Sequence, residues 1–87
     1  MKRGVTESGF KFEFDENDWD DMEFIEIMAE ADENPLKYPK MIERALGKEQ
    51  KDKLYEHCRN DKGRVPVTAI RKEIDEIFEI TGEDEKN

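Results

Sequence analysis

The stretch DENDWDDMEFIE, residues 15–26, is crowded with side-chain oxygens and resembles a calcium loop at its two ends. Asp15 stands at the first place, Asn17 at the third and Glu26 at the twelfth. Such a loop also needs an oxygen at the fifth place and a glycine at the sixth, where the chain turns sharply. Here those places hold Trp19 and Asp20. A second candidate, NDKGRVPV, fails in the same way: with Gly63 at the sixth place, Cys58 falls on the first and Lys62 on the fifth. His57 and Cys58 are neighbours, so on a helix their side chains diverge by about 100° and do not form a nucleophile–base pair. No CxxC or HxxxH spacing offers zinc its ligands, and neither a phosphate loop nor GxSxG is present. The reading is of a chain without catalytic residues, metal ligands or cofactor, whose function lies in its surfaces.

The elements that carry these residues follow from periodicity. GFKFEF alternates strictly, which places Phe10, Phe12 and Phe14 on one face of a strand. Arg3 to Thr6 are expected to fold back through Glu7, Ser8 and Gly9 as a hairpin partner, with Val5 opposite Phe12 if Ser8 and Gly9 form a two-residue turn. A first helix is expected over residues 19–32, capped by Asp18, ahead of the Asn34-Pro35 break. Within it Glu23, Glu26 and Glu30 share a solvated stripe. Met22, Phe24, Ile25, Ile27, Met28, Ala29 and Ala31 spread around the rest, as in a largely buried central helix. The acids at its start suit the positive end of the helix dipole. Pro39 opens a second helix, with Met41, Ile42, Ala45 and Leu46 on one side, and Gly47 ends it. A third runs over residues 49–59, its thin apolar side formed by Leu54, Tyr55 and Cys58. The last begins near Pro66 or Val67, and Val67, Ile70, Ile74, Ile77 and Phe78 form a narrow stripe expected to face Met22, Ile25, Met28 and Ala29. The fold class is therefore mainly α: a small bundle of about four helices with a short N-terminal β-strand or hairpin. Residues 1–9 are the possible first hairpin strand, 10–80 a single helical domain and 81–87 a disordered acidic tail.

Composition bounds the class. The chain has 87 residues, enough for one small domain. Its formal net charge of −9 disfavours a phosphate-binding surface. No apolar run approaches the ~20 residues of a membrane span, and MKRGVTESG lacks the apolar segment of a signal peptide. One cysteine, Cys58, allows no intrachain disulfide, so the expected setting is the cytoplasm.

Three segments carry a family resemblance: AEADENP, LGKEQ after the second helix, and EHCRNDKGRVPV leading into the last. With their surroundings, from Phe10 to Glu79, they resemble the small tail assembly chaperones of long-tailed phages and prophages of Gram-positive bacteria. The chain departs from that pattern at Lys51, where an apolar residue is expected. The resemblance implies a chaperone or adaptor that binds the tape measure protein, a very long helical chain, or another tail protein, in the host cytoplasm. It also implies a longer frameshifted product that would depart from the C-terminal EDEKN.

Partner contact is assigned to Phe10, Lys11, Phe12, Glu13 and Phe14 on the strand, whose free edge can pair with a second copy or a client, and to Phe24 and Ile27. The methionines Met22, Met28 and Met41 are read first as core filler. Neither nucleic acid nor membrane is an expected partner. Two other readings stand beside the chaperone: a degenerate calcium-type helix-loop-helix protein, and an acidic inhibitor that mimics DNA.

Overall fold

The computed structural model describes residues 1–82. Strands β1 (Lys2–Val5) and β2 (Lys11–Phe14) form an antiparallel hairpin. Three helices follow: α1 (Met22–Glu33), α2 (Tyr38–Cys58) and α3 (Val67–Gly82). Short 3-10 turns, Glu16–Asp20 and Pro35–Lys37, precede α1 and α2. The architecture is mostly α with the expected hairpin, but it has three helices rather than four. Gly47 marks where one helix was expected to stop and another to start. Its backbone leaves the helical region there (φ 84°, ψ 162°), so the expected break is present, as a kink that joins two helical segments within α2.

The hairpin register differs from the expected one. Val5 lies opposite Lys11 and Gly4 opposite Phe12. Thr6 donates its N–H to the carbonyl of Phe10 (2.9 Å), which leaves three residues in the connection instead of two. Gly9 takes the positive φ (97°) that a three-residue connection demands of its last member. Gly4 is required for packing: a Cβ there would lie 2.6 Å from the Phe12 ring, which covers it.

Start signals for α1 were shared between two acids. Asp15 accepts the N–H of Asn17 and caps the 3-10 turn, and Asp21, rather than Asp18, accepts the N–H of Glu23 and caps α1. An N-cap needs extended backbone, and Asp21 has it (φ −116°, ψ 111°). Nor is α1 a central helix, because it buries only Phe24 and Ala31. Met22 is 75% exposed and Ala29 is also at the surface.

Phe10, Phe12 and Phe14 are buried on the inner face of the hairpin, as their alternation requires. They join Tyr38, Met41, Ile42, Ala45, Leu46 and Leu54 of α2 and Ile70, Ile74 and Ile77 of α3 in one core. An aromatic cluster closes one end. Phe14, Trp19, Phe24 and Phe78 meet at ring-centroid distances of 5.5–6.2 Å, mostly edge to face, a geometry that aligns ring edges with ring faces. The α3 stripe thus meets α1 through Phe24, while its isoleucines pack in the core shared with α2 and the hairpin. Val67, at the start of that stripe, lies outside the core at 55% exposure.

Thr81 was expected in a disordered tail. It is instead fully buried in α3, donating to the Ile77 carbonyl (2.9 Å) and accepting from the indole N–H of Trp19 (3.3 Å). The rest of that expected tail, from residue 83 on, lies outside the described residues. No helix among the described residues is long and apolar enough to cross a membrane.

Candidate functional site

The acids of the opening stretch are engaged in holding the fold. Asp18 and Asp21 both accept from the guanidinium of Arg44 on α2, at 3.2 and 2.7 Å. Arg44 also lies 5.3 Å from the centre of the Phe24 ring. The Asp18 hydrogen bond leads in raising its pKa. Asp15 caps the 3-10 turn, and Glu26 lies on the exposed side of α1. Among the described residues no group of three or more His, Cys, Asp or Glu side chains is placed to hold a metal ion.

One polar cluster went unforeseen. Glu73 of α3 is 4% exposed. It accepts from Thr6 Oγ1 at 2.7 Å and from Ser8 Oγ at 3.0 Å. Ser8 Oγ also lies 2.8 Å from His57 Nε2, and the His57 ring tilts against Phe10 at 5.5 Å. Both hydroxyls spend their hydrogens on the carboxylate, so Nε2 of His57 carries the proton it shares with Ser8. The histidine is therefore a donor to the serine. In a Ser-His-acid triad the imidazole accepts the serine proton while the acid holds its other nitrogen; here the carboxylate holds the serine itself. The cluster fastens the hairpin turn to α2 and α3, helped by Glu76, whose carboxylate receives the N–H of Glu7 at 2.9 and 3.0 Å. Cys58 lies half-buried. Burial first, and then the charge of Glu73, raise its thiol pKa.

The residues assigned to partner contact divide by face. Phe10, Phe12, Phe14 and Phe24 are at most 5% exposed, which places them in the core and out of a partner's reach. Ile27 is half-buried against that core. Lys11 and Glu13 are exposed on the outer face, where Glu13 pairs with Arg3 at 2.9 Å. The free edge of β2 is partly closed by α2, because Gln50 bonds both backbone groups of Glu13. Lys51, the departure from the expected apolar pattern, fits by laying its stem down: its side chain is 18% exposed. Its ammonium donates to Glu43 at 2.9 Å and lies 6.0 Å from the Tyr55 ring.

Among the described residues the exposed large apolar side chains are Met1, Val5, Met22, Leu36 and Val67. A small cleft of about 130 Å³ is lined by Pro35, Tyr38, Pro39, Tyr55, Val65, Val67 and Ile70. Val67 on its wall and Leu36, the neighbour of Pro35, are 55% and 87% exposed. Sequence reasoning missed this cleft because its walls come from three separated segments, and the periodicity of Val67 and Ile70 reports a helix face without saying what covers it. No family model, curated protein or solved structure matches the chain significantly.

Proposed function

We propose that this protein is an assembly chaperone or adaptor of a phage tail, which binds helical segments of the tape measure protein. The observation that supports this is the apolar cleft between the start of α2, Tyr55 and the start of α3. In a chain that is 45% charged and 34% hydrophobic, large apolar side chains left at the surface mark a contact site. Two of the three segments that carry the family resemblance end at this cleft. AEADENP contributes Pro35, and EHCRNDKGRVPV contributes Val65 and Val67. Tyr55, partly buried on the cleft wall, is a rigid amphipathic anchor of the kind enriched at interfaces, whereas Tyr38 lies in the core. An amphipathic client helix would seat an apolar side chain beside Tyr55 and cover Leu36 and Val67. The acidic remainder keeps such a complex soluble.

Co-expression tests this reading. Fragments of a tape measure protein made together with the chain should stay in solution and co-purify with it. Fragments that precipitate equally with and without the chain would contradict it.

A further inference from the structure

The hairpin turns one backbone edge toward α2, and that edge is only half closed. Gln50 receives the N–H of Glu13 at 2.7 Å and donates to its carbonyl at 2.9 Å. A side-chain amide thus takes both bonds that the peptide group of a neighbouring strand would make. The bonds of Thr6 with Phe10 and of Glu13 with Gln50 set the phase of the ladder. In that phase Lys11, two residues before Glu13, points its N–H and C=O outward as well. No group among the described residues meets them. An open strand edge is a template for another chain.

This edge borders a groove of about 930 Å³ between the hairpin and the bend of α2. Its lining includes Arg3, Lys11, Lys48 and Lys53 but only two carboxylates, Glu13 and Glu49. Both carboxylates are already paired, with Arg3 and Lys53, and Lys48 pairs with Asp52 at 3.0 Å. Lys11 has no carboxylate partner among the described residues. Counting Asp52, the groove carries one more cation than carboxylates, in a chain of net charge −9. The groove is open at Gly47, where a Cβ would meet nothing within 4 Å.

We infer that the outer edge of β2 at Lys11 is a docking site for an extended acidic segment of another protein. The segment adds to the hairpin as a third strand, bonds the backbone of Lys11, and exchanges with the Gln50 amide at Glu13. One of its carboxylates meets Lys11, and others exchange with Asp52 and Glu49 for Lys48 and Lys53. Main-chain bonds supply the hold and the cations select the sign of the ligand. The groove shares no lining residue with the apolar cleft, so this site does not depend on the tail-assembly reading.

Titration of the isotope-labelled chain with a short blocked peptide of alternating Glu and Val, followed by NMR at low salt, tests the site. A peptide of alternating Lys and Val is the control. The expected result is a saturable shift at Lys11, Glu13 and the Gln50 side-chain amide, with a dissociation constant below about 1 mM. Lys11→Glu, at an exposed position, should weaken binding at least about tenfold without lowering the melting temperature. Gln50→Ala bares the Glu13 backbone and should bind the peptide more tightly. Three results would overturn the proposal: no saturable shift, an equal response to the Lys–Val peptide, or shifts centred on Tyr38 and Tyr55 instead of Lys11.

Discussion

Thr6 at the end of the first strand donates its hydroxyl to Glu73 on the last helix across 2.7 Å, a bond that joins residues 67 apart in the chain. The contact is buried and charge-assisted. Each partner also makes a second bond, Thr6 accepting from the Phe10 N–H (3.1 Å) and Glu73 accepting from Ser8. Removing the carboxylate leaves a buried hydroxyl without its acceptor. Glu73→Ala should therefore cost about 1–3 kcal/mol. Combined with Thr6→Val in chemical unfolding, it should show a coupling of about 1 kcal/mol or more. Strict additivity would mean that the Thr6–Glu73 bond does not help to hold the hairpin.

Gly4 beneath Phe12 gives a second prediction. The ring is 2% exposed and has little room to withdraw. Gly4→Ala should destabilise the fold by about 1–3 kcal/mol, as overpacking does. Gly4→Ala combined with Phe12→Leu should lose less than the two single changes added together. A neutral Gly4→Ala in thermal unfolding would contradict the packing described.

Ile74 and Val67 belong to the same apolar stripe by sequence and to different environments in the fold, at 4% and 55% exposure. Ile74→Ala should cost about 2–5 kcal/mol, whereas Val67→Ala should stay within about 0.5 kcal/mol. Equal losses would mean that the start of α3 is buried.

Cys58 carries a raised thiol pKa, from burial first and from Glu73 second. A raised pKa keeps the thiol protonated at neutral pH, and the thiolate is the nucleophile. Alkylation of the folded chain should accordingly be slow at pH 7 and accelerate only above the pH at which the urea-unfolded chain already reacts. Glu73→Gln removes one of the two causes and should move the rate profile toward lower pH. Identical profiles for folded and unfolded chains would refute the assignment.

What could be read from the sequence was local. The alternation of Phe10, Phe12 and Phe14 reported a buried hairpin face because side-chain direction in a strand has a period of two. Ile70, Ile74 and Ile77 reported α3 in the same manner through the helical period. Gly47 signalled a break, and the backbone does leave the helix there, at angles that glycine adopts freely and other residues do not. Asp18 and Asp21 are chemically alike as caps, and the choice between them rests on backbone angles that Arg44 helps to hold. The Thr6, Ser8, His57 and Glu73 cluster had no signal at all. Its bonds from the hairpin to the helices join residues 49 to 67 apart, and short polar residues in an acidic chain stand out only when the fold buries them. The assignment of Phe10, Phe12, Phe14 and Phe24 to partner contact failed for a related reason: the same apolarity serves a core and an interface, and burial alone separates them.

The central claim, that the apolar cleft beside Leu36 and Val67 receives a client helix, is tested most directly by calorimetric titration. A tape measure segment is titrated into the wild type and into a variant carrying Leu36→Asp and Val67→Asp. Both side chains are exposed, so the variant should unfold at nearly the wild-type temperature. The wild type should bind saturably and the variant at least about tenfold more weakly, as expected when apolar anchors are replaced by charge. Equal affinity of the two proteins for the segment would contradict it.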